Sequence, residues 1–308
     1  YEQGRGALKQ RTDSTLKRSA DLFRQAIARD SSFALAWAGL ADALTFLGGN
    51  YGKPAPDTML PAATKAARRA LELDPNLAEA HTSLGRLHHY RRQVPSALRE
   101  LNRAIELRPS YAVAHETRSM VKLQQGRPEE ALKSARRAVE LDPLSPENRL
   151  ALALVLGCRG VLDQALEQAR RAKSIQPGYA SGIVRYMLAL VGRPEEAVST
   201  LDKDTHPDWL ADHYRTLTGD TSAARRLLAE KEGPPPDQSE GLALAVLGRH
   251  EAATEVFRGL YFGDDLMAPA ARHWSLCRYP TVLEPLRQTS AFQSFVRDMN
   301  RDLGLSPD

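Results

Sequence analysis

Ala97-Leu-Arg-Glu-Leu101-Asn-Arg-Ala104-Ile-Glu-Leu-Arg-Pro109 is followed 34 residues on by Ala131-Leu-Lys-Ser-Ala135-Arg-Arg-Ala138-Val-Glu-Leu-Asp-Pro143. The step is general along the chain. Pro75, Pro109, Pro143 and Pro177 keep it, as do Ala63, Ala97, Ala131 and Ala165, and again Ala70, Ala104, Ala138 and Ala172. The small residues let helices approach closely. The proline closes each stretch, because it lacks an N–H and disfavours helix before it. A unit of helix, turn, helix, turn repeated at this period stacks on its neighbours as a solenoid.

The period has the length and pattern of the tetratricopeptide repeat, and the fold expected is an all-α, right-handed superhelical solenoid of about sixteen to eighteen helices. Clear units run over 78–111, 112–145 and 146–179. In them the first helix offers Leu84-Gly85 to the second, and Gly126-Arg-Pro-Glu-Glu-Ala131 makes a turn with proline and acids at the helix start. An earlier unit over 34–77 is ten residues too long, and its surplus near 48–57 reads as a loop. The pattern decays after Pro177, where the next helix looks shorter by half a turn. Two regions are expected: regular repeats over 1–201, and degenerate repeats with capping helices over 202–308. In the second, helix pairs read as Trp209–Leu217 with Thr221–Glu230 and Gln238–Leu247 with Glu251–Phe262. A last group lies near Leu266–Cys277 and Thr281–Leu305, after a break at Pro234-Pro-Pro236.

The chain of 308 residues has 42% hydrophobic and 26% charged residues and a net charge of +4. So weak a charge argues against direct nucleic-acid binding. Two cysteines, Cys158 and Cys277, are too few for a disulfide scaffold or a cysteine zinc site. No apolar run reaches the ~20 residues of a membrane span, so no membrane insertion is expected. The sequence opens on Tyr1, within helical pattern, and reads as a fragment of a longer protein.

No phosphate loop, nucleophile elbow or kinase signature occurs, so an enzyme is not expected. Glu129-Glu130, Glu195-Glu196 and Asp264-Asp265 suit helix starts. Cys158 reads as a buried thiol. His81, His88, His89 and His115 lack the spacing of a metal site and read as packing residues. Neither a metal nor any other cofactor is expected. Arg136-Arg137 and Arg170-Arg171 fall on second helices, where they would form a solvated basic stripe.

Several phrases carry a resemblance to the tetratricopeptide region at the C-terminal end of some bacterial signalling proteins. They are Tyr1-Glu-Gln-Gly4-Arg5 with Ala20-Asp-Leu-Phe23, Ala36-Trp-Ala-Gly-Leu40-Ala41-Asp42, Ala70-Leu-Glu-Leu-Asp74-Pro75, and Leu283-Glu-Pro-Leu-Arg287 with Phe292 and Phe295. In such proteins the region follows a winged-helix DNA-binding domain, a Ser/Thr kinase or a nucleotide cyclase. The resemblance implies a non-enzymatic module that binds a protein or peptide and senses or relays a signal. A scaffold subunit of an envelope or secretion assembly, or a helper domain of an upstream kinase or cyclase, stand as alternatives. The resemblance implies an extracytoplasmic place if the parent carries an upstream membrane span, and a cytoplasmic one otherwise. In stacked repeats the first helices line a concave groove. Its lining is expected from Asp42, Phe46, Arg86, His89, Tyr90, Glu116, Met120, Gln124, Leu150, Leu154 and Tyr186, with Cys158 beside them. Met, Leu and Tyr in line suit a peptide, and packing under neighbouring helices is the alternative reading of the same stripe. The two-lysine, two-asparagine clamp for chaperone carboxylates in some relatives is missing here.

Overall fold

The computed structural model describes residues 1–48, 59–91, 93–201, 209–229, 237–262 and 284–302. Every regular element among them is a helix. Described residues up to Ala151 form one compact unit, and those from Leu152 onward a second. The expected loop beyond Gly48, the triple proline at 234–236, Asp264-Asp265, Cys277 and the segment 266–277 lie outside the described residues.

The first unit holds α1 (Glu2–Gln10), α2 (Asp13–Arg29), α3 (Ala34–Gly48), α4 (Met59–Leu73), α5 (Ala78–Tyr90), α6 (Val94–Leu107), α7 (Ala112–Gln124), α8 (Pro128–Leu141) and the start of α9 (Pro146–Cys158). Through α8, each odd helix packs on the even helix after it, and α1, α3, α5 and α7 also touch in series. The odd helices therefore make one continuous wall. Even helices bury a single stripe, Ala97, Leu101 and Ala104 on α6 and Ala131, Ala135 and Ala138 on α8. That is the i, i+4, i+7 spacing of one helical face.

Close approach within a pair needs a missing side chain. A Cβ built on Gly85 would stand 2.6 Å from Cγ of fully buried Leu101, and one on Gly39 would stand 2.5 Å from the Phe23 ring. Gly85→Ala is expected to cost about 1–3 kcal/mol by overpacking. Urea unfolding checks this, and Gly6→Ala, where a Cβ meets nothing within 4 Å, serves as the control.

The turns repeat as well. Gly126 takes a left-handed conformation (φ 68°), and Arg127 N–H then donates to Lys122 O at 3.0 Å. Gly160, Gly192, Gly219 and Gly248 also have positive φ, after α9, α11, α13 and α15. In the α1–α2 turn the left-handed residue is Arg11 instead, at φ 55°.

Between repeats, Asp30, Asp74 and Asp142 accept through Oδ1 from the N–H of Ser32, Asn76 and Leu144 at 2.9, 3.0 and 3.2 Å. The aspartate thus closes an Asx turn between one repeat and the next. A second device recurs at one register. Trp37 Nε1, His81 Nε2, His115 Nε2 and Arg149 Nε each lie 2.9–3.1 Å from the carbonyl six residues earlier, on Ser31, Pro75, Pro109 and Pro143. An indole, two imidazoles and a guanidinium satisfy the same loop carbonyl.

The histidines are therefore more than packing residues. His81 faces two acceptors, Pro75 O and Glu100 Oε2 at 2.8 Å. It needs both ring protons, and the bond to Glu100 raises its pKa. His115 has the carbonyl but no partner at Nδ1, and burial lowers its pKa. His88 is half-buried and bonds Gln93 Oε1 at 2.6 Å.

The second unit continues α9 and adds α10 (Leu162–Ile175), α11 (Pro177–Leu190), α12 (Pro194–Ser199), α13 (Trp209–Thr216), α14 (Thr221–Ala229), α15 (Asp237–Val246), α16 (His250–Phe262), α17 (Glu284–Arg287) and α18 (Ser290–Asp302). Neighbours in sequence again pair, and α11, α13 and α15 touch in series. One expectation fails here. The helix after Pro177 is not shortened, because α11 begins at Pro177 itself and runs 14 residues. Proline suits the first helical position, where no N–H is needed. Gln176 is both the last cap of α10 and the first cap of α11, so the inter-repeat loop is what is lost. At the end, Phe292 and Phe295 are buried, and Arg258 on α16 donates to Asp298 on α18 at 2.8 Å.

Candidate partner-binding face

The odd helices of the first unit carry Asp42 and Phe46 on α3, Arg86, His89 and Tyr90 on α5, Glu116, Met120 and Gln124 on α7, and Leu150 on α9. Spacings of three and four residues keep each set on one face of its helix. The side chains lie at two depths. Asp42, Phe46, Tyr90, Glu116 and Met120 are half-buried. Arg86, His89, Gln124 and Leu150 are buried, and support the surface from below. Leu154, half-buried on α9, and Tyr186, buried on α11, belong to the second unit. Cys158 is half-buried at the end of α9.

A charged network links α3, α5 and α7. Arg86 is 5% exposed. It donates from Nη1 to Asp42 Oδ1 at 2.8 Å and from Nη2 to Thr117 Oγ1 at 3.3 Å. Ser83 Oγ donates to the same Asp42 oxygen at 2.8 Å. Thr117 Oγ1 donates to Glu116 Oε2 at 3.1 Å. Burial pushes the Glu116 carboxyl above its usual range, and the charges of Arg86 and Arg11 oppose that rise. Arg86 also lies over the Phe46 ring at 4.7 Å. The network joins residues 31 to 44 apart in sequence, which the solenoid brings to adjacent positions.

Arg11 reaches the same face from the α1–α2 turn. Its guanidinium stacks on Phe46 at 3.6 Å, and its Nε lies 3.8 Å from Glu147 Oε1 on α9. Neither Arg11 nor Glu147 stood out in the sequence. The available signal was an arginine at the turn position that later repeats fill with glycine.

Next to the network, His89 is 5% exposed and contacts the Gln124 amide. Burial lowers its pKa to about 4, with the charge of Arg86 adding to the fall. It is neutral at pH 7. Toward the loops, Arg108 stacks on Tyr111 at 3.9 Å and pairs with Glu79 at 2.9 Å. Burial raises the Tyr111 pKa strongly.

The even helices differ. Arg137 pairs with Glu140 at 3.1 Å, Arg170 with Glu196 at 3.0 Å, and Arg171 with Glu167. These exposed pairs neutralise much of the basic stripe. Among the described residues no group of three His, Cys, Asp or Glu could hold a metal, and no helix is long and apolar enough to cross a membrane.

The tetratricopeptide repeat family model matches residues 117–180. No curated protein matches the chain. Among solved structures, a monomeric mutant of IFIT1 with m7Gppp-AAAA matches at 14% identity and TM-score 0.58, covering 86% of this chain and 67% of its own. YrrB, a TPR protein with an unusual peptide-binding site, matches at 26% identity and TM-score 0.41, over 64% of this chain and 98% of its own. TTC0263, a thermophilic TPR protein of Thermus thermophilus, matches at 25% identity and TM-score 0.49, over 58% and 92%. Residues 117–180 match the tetratricopeptide repeat, and the described helices pair within each unit as in that all-helical repeat fold, whose repeats generally serve as modules for protein or peptide interaction.

Proposed function

We propose that this chain is a non-catalytic module that binds a protein or peptide on the odd-helix wall of its first unit. We further propose that it is the sensor or relay region of a larger bacterial signalling or transcription-regulatory protein. The observation that carries the binding site is the layering of that wall. Tyr90 and Met120 stand half-buried over buried Arg86, His89 and Gln124, with Asp42, Glu116 and the arginine-covered Phe46 beside them. Aromatic and methionine side chains standing over a buried polar layer are what a peptide needs for anchoring. A protein ligand is favoured over nucleic acid because the outer arginines are largely paired with glutamates and the net charge is only +4. The relay role rests on the sequence resemblance.

The test is binding of the parent protein's partners to Tyr90→Ala plus Met120→Ala, against the outer-face control Arg136→Ala plus Arg170→Ala. Truncating such anchors is expected to cost about 1–4 kcal/mol. Both variants are first checked for unchanged unfolding. Loss only in the control would move the site to the outer face.

A further inference from the structure

Arg11 occupies a place built for something else. Five turns after first helices put glycine at the left-handed position, from Gly126 to Gly248. Arg11 stands at that place in the α1–α2 turn and is the one non-glycine residue with positive φ among the described residues. An arginine there is strained, so its side chain must gain something in return. The gain is visible. The guanidinium lies over Phe46 at 3.6 Å, and its Nε is 3.8 Å from Glu147 Oε1. Yet the fit is incomplete, because Arg11 Nε is buried with no hydrogen-bond partner. A side chain fed in from a strained turn meets the aromatic face and the Glu147 charge but leaves its Nε–H without a hydrogen bond.

We infer that Phe46 and Glu147 form a subsite for the guanidinium of a partner's arginine, and that Arg11 occupies it from within until the partner displaces it. This rests on the peptide-binding reading above and names what the peptide brings. The planar group stacks on the ring, as guanidinium does better than ammonium. The Glu147 carboxylate supplies charge, and a partner arginine free of the turn's constraint can reach it with paired N–H donors. Arg11 raises the threshold for binding, since any ligand must first compete with a tethered cation. Removing it lowers that threshold.

The experiment titrates Nα-acetyl-arginine amide into the wild-type chain and into Arg11→Gly, following NMR shifts of α3 and α9. Arg11→Gly restores the residue used in five other turns, so the variant keeps its fold. Saturable binding to Arg11→Gly is expected, at least about tenfold tighter than to wild type. Phe46→Ala or Glu147→Gln in the Arg11→Gly background should each weaken it, and Nα-acetyl-citrulline amide should not bind. Equal binding to wild type and Arg11→Gly, or none to either, would overturn the subsite. If that happens while Tyr90→Ala plus Met120→Ala still loses the partner, the subsite fails and the peptide-binding reading stands. If the amide binds but the partner is retained, the subsite stands and that reading fails.

Discussion

Arg86→Ala is expected to destabilise the first unit by about 3–5 kcal/mol, the range for removing one partner of a buried ion pair. Arg86 is held by Asp42 at 2.8 Å and Thr117 at 3.3 Å, and its guanidinium covers Phe46. Its loss leaves Asp42 with the Ser83 hydroxyl and removes the largest charge opposing the rise in the Glu116 pKa. Glu116 is then expected to take up a proton more readily. Arg86→Lys should cost less, because it keeps the charge and loses the fork. Pairing Arg86→Ala with Asp42→Asn should give less than the sum of the two single effects, since residues in one network do not add. Hydrogen exchange of the α5 and α7 amides measures the loss in place. A change below about 1 kcal/mol would mean the pair is solvated as at a surface.

The second large effect is a loss of stability in acid caused by His89. Its pKa in the fold is about 4, against an ordinary 6.5, because burial and Arg86 disfavour the imidazolium. The folded state therefore binds fewer protons than the unfolded one as pH falls. The contribution is fully present above pH 6.5, is lost on going down through that value toward about 4, and then levels off. The full loss is about 3 kcal/mol, from ~1.36 kcal/mol per unit. His81 acts in the opposite sense. Its folded pKa is raised by Glu100, so its contribution is present in acid and lost as pH rises through the folded value. His115 shares the sign of His89. The difference between wild type and His89→Leu isolates His89, because both other histidines remain. Denaturant midpoints from pH 7.5 to 4 should fall less steeply in the variant. Parallel slopes would show that His89 is not held neutral.

The fold was legible because its packing is periodic. Alanines at one step and prolines at the same step report a repeated helix face and a repeated stop, and both are local. Pro177 misled because a proline ends one helix and can begin the next, and only the loss of the loop decides which. The register of the odd helices was legible too, and it placed Asp42, Arg86 and Glu116 on one wall. Their depth was not. Whether Arg86 or Tyr90 meets water depends on neighbours 31 to 44 residues away, which no local pattern encodes. Trp37, His81, His115 and Arg149 were open to reading, since all carry an N–H at one register. Their chemical variety hid the shared donor. Arg11 was hidden by its position in a turn, where a charged residue ordinarily faces solvent.

The measurement that bears most directly on partner binding is photo-crosslinking of this chain expressed in its host cells. A photoreactive phenylalanine analogue is placed at Tyr90, at Met120 and, as the outer-face comparison, at Arg136. Adducts to one partner protein or peptide from the Tyr90 and Met120 positions, with none from Arg136, is the predicted result. Adducts from Arg136 alone would contradict a binding site on the odd-helix wall and place recognition on the even helices.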